Sequence, residues 1–119
     1  MSTYVIGDVQ GCYQPLQELL THIGFSPNTD TLWFCGDIIN RGPDSLACLR
    51  FIKNLGEKAI TVLGNHDLAL LVIAHGFLRP KAQDTIQAIL KAKDKLDVID
   101  WLTNRPLLHH ASEHQVTLV

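Results

Sequence analysis

A glycine followed by a polar residue recurs three times along the chain, each time directly after a short apolar segment. The pairs are Gly7-Asp8, Gly36-Asp37 and Gly64-Asn65, and their polar members are 29 and 28 residues apart. This interval is about the length of one strand–helix–strand unit. Parallel strands end at one edge of their sheet, which is where open α/β sheets bind ligands. The repeat therefore predicts a parallel sheet whose edge gathers three polar side chains.

The apolar pattern predicts which segments form the sheet and its helices. Continuous apolar runs, typical of strands buried on both faces, predict strands at 3–6, 31–35, 59–63 and 115–119. Apolar residues at helical spacing predict helices at 13–23, 44–55, 67–74, 82–92 and 95–104. The resulting order of strands and helices predicts an α/β fold with a mostly parallel sheet, parallel crossovers and flanking helices.

Size, charge and cysteine content exclude several classes of protein. A length of 119 residues suits one domain, and a formal charge of −2 gives no basic surface for a nucleic acid. No segment reaches the roughly 18 apolar residues that a membrane span needs. The N-terminus has no secretory signal pattern, and the three cysteines lack metal-type spacing. We therefore expect a cytoplasmic protein with reduced thiols and no nucleic-acid or membrane partner.

The three polar residues at the predicted sheet edge are candidate metal ligands. Two carboxylates at one poorly solvated edge repel each other unless a proton or a cation lies between them. Carboxylate and amide oxygens suit hard or borderline divalent cations, so Asp8, Asp37 and Asn65 could share one. Gln10 belongs to the same loop as Asp8. Taken singly, each Gly-Asp pair could equally form a turn or a helix cap.

Two further residues indicate an anionic phosphoester as the substrate. The planar guanidinium of Arg41 matches phosphate oxygens, although it could instead form a salt bridge with Asp44 or another local carboxylate. His66 follows Asn65 and could protonate a leaving oxygen. By itself it could also be a surface histidine beside a helix cap.

The same segments resemble a known family. GDVQG (7–11), GDIINRG (36–42) and GNHD (64–67) are similar to the motifs G-D-x-[HQ]-G, G-D-x-x-[DAN]-R-G and G-N-H-[DE]. These are the leading motifs of the phosphoprotein-phosphatase branch of the calcineurin-like metallophosphoesterases. Gln10 and the segment WLTNRPLL (101–108) most resemble symmetrical bis(5'-nucleosyl)-tetraphosphatases. The resemblance covers the N-terminal part of that family's sequence. It implies a single, incomplete domain over 1–119, the N-terminal half of an α/β/β/α sandwich.

The resemblance also implies an activity and a set of metal ligands. The activity is the hydrolysis of diadenosine tetraphosphate, a dinucleoside polyphosphate, to two ADP by water activated by two divalent metal ions. Manganese or cobalt is expected first, with magnesium, iron or zinc as alternatives. Asp8 and Gln10 would bind the first metal, Asp37 would bridge both, and Asn65 would bind the second.

The catalytic roles that the resemblance implies fall on three residues. His66 would act as general acid toward the leaving group, and Arg41 would bind a phosphate. Asn40 stands where phosphoprotein-phosphatase relatives have an aspartate that orients the catalytic histidine. Because asparagine cannot supply negative charge, His66 would be a weaker acid–base group or would depend on another partner.

Part of the family's metal site is not matched in these residues. The family supplies further metal-binding histidines, one of them in an H-A-G motif that this chain lacks. His109, His110 and His114 match no family ligand, and we expect them in a loop. A non-catalytic, truncated nucleotide-binding fragment therefore stays open as an alternative. So does a serine/threonine phosphoprotein phosphatase, although histidine at position 10 and aspartate at position 40, which would favour it, are not present. A truncated domain would leave an apolar sheet face bare and could self-associate.

Overall fold

The main sheet contains three parallel strands whose order in space is their order along the chain. The computed structural model describes residues 1–81 and 84–119. The strands are β1 (Thr3–Ile6), β2 (Thr31–Phe34) and β3 (Ala59–Thr61), with β2 in the centre. Ile6 pairs with Phe34, which in turn pairs with Thr61, so the strands end at nearly the same level. The predicted parallel sheet is confirmed, although β2 and β3 end earlier than the predicted residues 35 and 63.

Five α-helices follow these strands in the described part of the chain. They are α1 (Tyr13–His22), α2 (Ser45–Asn54), α3 (Asn65–Ala74), α4 (Gln87–Leu90) and α5 (Lys95–Thr103). Four of them agree with the predicted bounds to within two residues. The helix predicted over 82–92 is shorter than expected, and residues 82 and 83 lie outside the described residues. None of the helices in the described ranges is long and apolar enough to cross a membrane.

The helices pack against one face of the sheet. Successive side chains of a strand point to opposite faces. Leu32 and Phe34 of β2 therefore face the helices and join the main core, where they are fully buried. The core residues of α1 and α2 on this side are Leu16, Leu20, Cys48, Leu49 and Ile52. Burying their side chains stabilises the fold by roughly 1.5–3 kcal/mol for each large apolar residue. This packing holds the loops at the carboxyl edge of the sheet in place.

A β-hairpin covers part of the opposite face. Its strands, β4 (His109–Ala111) and β5 (Val116–Leu118), pair antiparallel and form a sheet of their own. The strand predicted at 115–119 is therefore present as β5, but it belongs to this hairpin and not to the parallel sheet. His109 and His110 lie in β4 rather than in the predicted loop, whereas His114 does lie in the turn of the hairpin. The physical reason is that the hairpin packs on Trp33, whose ring lies 5.3 Å from that of His109 and 5.8 Å from that of His114.

The two faces of the sheet are not covered equally. Trp33 of the central strand is buried on the hairpin side, so the prediction of burial on both faces is confirmed for β2. For β1 that prediction is wrong, because Val5 on the same side is 58% exposed. The apolar cluster that the hairpin forms with the sheet includes described residues of β2 and β3 and none of β1. Self-association through this apolar face stays a prediction.

Candidate metal centre

The loops that follow the three strands are joined through their backbones. The Gln10 N–H donates to the Asp37 carbonyl over 2.8 Å, and the Gly11 N–H donates to the Ile38 carbonyl over 3.1 Å. The Gly42 N–H donates to the Gln10 carbonyl over 2.7 Å. These bonds hold the first two motifs together as one unit at the carboxyl edge of the sheet.

Glycine is required where the second and third motifs meet. A Cβ atom on Gly36, whose φ is +92°, would overlap the backbone of Gly64. A Cβ atom on Gly64 would overlap the carboxylate of Asp37. The Asp37 side chain therefore passes directly over Gly64 toward the start of α3, which only the absence of a side chain there permits.

Backbone strain is concentrated at the predicted site residues. Five described non-glycine residues adopt a positive φ, and four of these are predicted site residues. Their φ angles are 51° at Gln10, 50° at Asp37, 77° at Asn40 and 66° at Arg41. Such conformations cost of order 1–3 kcal/mol each and cluster at functional sites, where the surrounding structure enforces them. The strain is an indication, independent of the sequence motifs, that these loops are shaped for binding.

The side chain of Asp37 caps the N-terminus of α3. Its Oδ1 accepts a hydrogen bond of 2.8 Å from the N–H of His66, the second residue of the helix. A carboxylate in this position satisfies a free N–H and interacts favourably with the helix dipole. The capping role that we left open for a Gly-Asp pair is therefore realised at Asp37, although the helix it caps is distant in sequence. Capping uses Oδ1 and leaves other lone pairs of the carboxylate for a ligand.

The amide of Asn65 lies against both carboxylate oxygens of Asp37. One of its terminal atoms is 3.1 Å from Oδ1 and 3.0 Å from Oδ2. If that atom is nitrogen, the amide donates two hydrogen bonds to the carboxylate. If it is oxygen, three oxygens converge and need a cation to offset their repulsion. Adjacent ligands of an octahedral ion with bonds of about 2.1 Å are about 3.0 Å apart. The donor types and spacing of this pair therefore fit a divalent cation.

Asp8 and Gln10 are less closely integrated. Asp8 is exposed at the end of β1 and lines a separate cavity of about 160 Å³ together with Cys12. Gln10 contacts Asp37 through its backbone alone among the described hydrogen bonds. Within residues 1–81 and 84–119, no three His, Cys, Asp or Glu side chains form a group that could hold a metal ion. The structure thus brings Asp37 and Asn65 into direct contact and leaves Asp8 outside that pair.

Asp67 holds this site together, a role that the sequence analysis missed. The residue is fully buried, and its Oδ2 accepts from the N–H groups of Asp37 at 2.7 Å and Gly64 at 2.9 Å. Its Oδ1 accepts from the N–H of Ile38 at 3.2 Å. Burial raises the pKa of Asp67 to about 6, while these N–H groups limit the rise by stabilising the carboxylate. An acidic residue at the fourth position of GNHD was the available signal.

The amide of Asn40 lies between His66 and Asp84, which is 44 positions after Asn40 in the sequence. Asn40 Nδ2 donates to Oδ1 of Asp84 over 3.0 Å and lies 3.4 Å from Nδ1 of His66. Asn40 Oδ1 accepts from the N–H groups of Arg41 at 2.9 Å and Thr85 at 2.8 Å. The hydrogen bond from Asn40 is the main reason why the pKa of Asp84 lies below its usual value. Asp84 therefore lies one hydrogen bond beyond Asn40 as seen from His66, and no sequence motif marked it.

Arg41 contacts His66 rather than a carboxylate. Its Nε lies 3.3 Å from Nε2 of His66, and its side chain is exposed. The one ion pair in the described ranges joins Arg50 to Asp94, so the alternative salt bridge with Asp44 does not form there. The arginine is thus beside the candidate metal centre and is not held by a fixed partner charge.

A cavity of about 480 Å³ opens beside this group of residues. The apolar side chains of Leu70, Ile73 and Ile86 form its floor. The charged residues that line its rim are the cations Arg41, Arg79 and Lys81 and the carboxylate of Asp84. Asn65 and His66 lie in its wall, so it is continuous with the candidate metal centre. Its volume falls in the range of about 300–1,000 Å³ that is typical of small-molecule sites. The arrangement suits a ligand with several negative charges and an apolar part.

The chain is similar to known proteins over most of its length. The sequence profile described as calcineurin-like phosphoesterase matches residues 1–117. A symmetrical bis(5'-nucleosyl)-tetraphosphatase of Stutzerimonas stutzeri is 52% identical over 119 residues, which are 100% of this chain and 43% of the relative. The enzyme of that name from a Marinomonas species is 56% identical over 110 residues, or 92% of this chain and 40% of the relative. The chain therefore spans less than half the length of these relatives.

The fold is also similar to that of a solved structure. A crystal structure described as that of a candidate diadenosine tetraphosphatase superposes with a TM-score of 0.75 and 29% sequence identity. The alignment covers 99% of this chain and 53% of the other. The parallel sheet with its flanking helices is thus the arrangement found in that protein.

Proposed function

The chain belongs to the calcineurin-like phosphoesterase family, and we propose that it carries metal ligands and phosphate-binding residues of a symmetrical bis(5'-nucleosyl)-tetraphosphatase. The reaction is the hydrolysis of diadenosine tetraphosphate, a dinucleoside polyphosphate, to two molecules of ADP. The Asp37–Asn65 pair at the sheet edge is the observation that carries the proposal. Relatives of that name at 52% and 56% identity support the choice of substrate.

Membership of the family implies divalent metal ions, and we propose two of them, Mn²⁺ or Co²⁺. Asp37 would contribute to both ions, Asn65 to one of them, and Asp8 and Gln10 to the other. When bound, such ions lower the pKa of a coordinated water from 15.7 to about 7 and offset phosphate charge. The oxygen donors of all four residues suit these cations.

The remaining roles belong to side chains of the cavity. Arg41 would bind a phosphate through its planar guanidinium, since no carboxylate among the described residues occupies that group. Arg79 and Lys81 add positive charge at the rim of the cavity and would bind other phosphates of the tetraphosphate. The apolar floor would accommodate part of the nucleoside. His66 would donate a proton or a hydrogen bond to the leaving oxygen.

Free thiols support the proposed cytoplasmic location. All three cysteines, Cys12, Cys35 and Cys48, are unpaired. Such thiols persist in a reducing compartment. Fractionation of cells that express the tagged protein tests this part of the proposal, and recovery in an oxidising compartment would contradict it.

Metal binding is the first test of the proposal. Calorimetric titration of the chain with Mn²⁺ should show binding that Asp37→Asn abolishes. A matched control is Asp94→Ala, since Asp94 pairs with Arg50 outside the metal centre and its loss should leave binding unchanged. Absence of Mn²⁺ binding to the unaltered chain would favour the non-catalytic fragment instead.

Product analysis is the second test. Incubation with diadenosine tetraphosphate and Mn²⁺ or Co²⁺ should release ADP alone, whereas ATP plus AMP would rule out symmetrical cleavage. Because Asp37 contributes to both metals and Gln10 to one, Asp37→Asn should lower the rate far more than Gln10→Ala. Similar rates for the two variants would contradict the bridging role of Asp37.

A further inference from the structure

Each ring nitrogen of His66 faces a hydrogen-bond donor. Asn40 Nδ2 lies 3.4 Å from Nδ1, and Arg41 Nε lies 3.3 Å from Nε2. A neutral imidazole carries one N–H and one acceptor nitrogen, so it can accept from only one of these donors. The other donor must turn away, and which donor stays determines the nitrogen that carries the proton.

The amide of Asn40 cannot turn. Its oxygen accepts from two backbone N–H groups, those of Arg41 at 2.9 Å and Thr85 at 2.8 Å. Backbone N–H groups only donate, so a rotated amide would place its NH₂ against both of them. On the other side, Asp84 Oδ1 accepts from Nδ2 over 3.0 Å, and Asp84 Oδ2 is held by the N–H of Lys81 at 2.7 Å. Asn40 is also only 7% exposed.

The guanidinium of Arg41 is much less constrained. Its side chain is exposed, and its contact with His66 is the one hydrogen bond of that guanidinium in the described part of the chain. An exposed, long side chain loses little when it leaves such a contact for water or for an anion. In the competition for His66, Asn40 therefore keeps its place and Arg41 gives way.

We propose that Asp84 is a positioning residue that, through Asn40, holds neutral His66 as the tautomer with its proton on Nε2. Asn40 Nδ2 donates to the unprotonated Nδ1, and Nε2–H becomes the donor on the side of the ring where Arg41 lies. A carboxylate at position 40 would instead accept from Nδ1–H and select the opposite tautomer. Asp84 thus supplies negative charge that acts on the histidine through the intervening Asn40 side chain.

The consequence for the site is a pair of donors aimed at one ligand. His66 presents an N–H to a leaving oxygen, and Arg41, released from the ring, is free to bind a phosphate. This assignment of the two donors rests on the proposed function. The tautomer itself does not, because it follows from contacts within the chain.

Nuclear magnetic resonance of the chain, labelled with ¹⁵N in its histidines, tests the tautomer directly. Spectra are recorded in metal-free buffer at increasing pH until the ring shifts no longer change, so that they report the neutral ring. His66→Gln identifies its signals among those of the six histidines. We expect a pyridine-type shift for Nδ1 and a pyrrole-type shift for Nε2. The reverse assignment would overturn the proposal.

Four variants separate the determinants. Asn40→Asp should exchange the two shifts, and Asp84→Ala should raise the fraction of the Nδ1–H form, with amide spectra confirming the fold. Asp94→Ala, which also removes a surface carboxylate, should leave the shifts unchanged. Arg41→Ala should leave them unchanged too. An effect of Arg41→Ala, or none of Asp84→Ala, would overturn the proposal. If the unaltered chain shows the expected ¹⁵N shifts but no tetraphosphatase activity, the result would count against the proposed function alone.

Discussion

Replacing the buried Asp67 with asparagine is expected to stabilise the protein at neutral pH. The carboxylate is fully buried and accepts hydrogen bonds from the N–H groups of Asp37, Gly64 and Ile38. Desolvation nevertheless outweighs these bonds and raises the pKa of Asp67 from its usual 3.8 to about 6. Asparagine has nearly the same shape and never carries the charge.

The sign and size of the effect follow from linkage. Between pH 3.8 and about 6 the native protein binds more protons at Asp67 than the unfolded chain does. The free energy of unfolding therefore falls as the pH rises through this window. Each unit of pKa corresponds to about 1.4 kcal/mol, so the charged carboxylate costs on the order of 3 kcal/mol by pH 7. The Asp67→Asn variant should equal the parent near pH 4 and exceed it by up to that amount at pH 7.5.

Urea unfolding at four pH values between 4 and 7.5 measures this difference. Metal-free buffer is needed, because a bound cation would offset the charges near Asp67. Asp67→Ala provides the control, since it leaves all three N–H groups without an acceptor. It should be less stable than Asp67→Asn at every pH, by at least about 2 kcal/mol, because the amide oxygen can keep two of the bonds. A difference between parent and Asp67→Asn that does not change with pH would refute the reasoning.

Two further predictions concern stability, and both are measured by urea unfolding. Gly64→Ala should cost about 1–3 kcal/mol, because the new Cβ overlaps the Asp37 carboxylate. The control Gly7→Ala places its Cβ within 4 Å of no atom and should change stability by less than about 0.5 kcal/mol. Equal losses would contradict the close contact between Asp37 and Gly64. Leu70→Ala should cost about 2–5 kcal/mol, because the Leu70 side chain of α3 is fully buried in the core. Leu68→Ala, at a position 41% exposed, should cost less than half as much, and comparable costs would show that α3 packs differently.

Local pattern was sufficient to predict most of the fold. The strands β1, β2 and β3 lie in apolar runs that end at glycine, and the long helices carry apolar residues at helical spacing. Residue type and spacing along the chain therefore indicated both kinds of element. The hairpin did not follow from pattern. Its first strand, His109–Ala111, has three residues and little apolar character. Pairing with β5 and packing on Trp33 determine it, and Trp33 belongs to a segment that is distant in the sequence.

The candidate site divides in the same way. Asp37 and Asn65 were predicted to meet because parallel strands of similar length end at one level, and the structure places their side chains 3.0–3.1 Å apart. Asp8 occupies the corresponding position after β1, but no hydrogen bond in the described residues joins its carboxylate to the pair. Sequence reasoning located the ends of the strands. It could not determine the direction of a side chain on an exposed edge strand.

The sequence by itself determined the order of strands and helices, the family, and the identity of the residues at the sheet edge, because these depend on residue type and spacing along the chain. Tertiary structure alone decided which side chains share a hydrogen bond. Asp84 reaches Asn40 across 44 residues, and Asp67 binds the N–H of Asp37 across 30. Such contacts arise from how helices and loops pack around the sheet, and that packing leaves no periodic signal in the sequence.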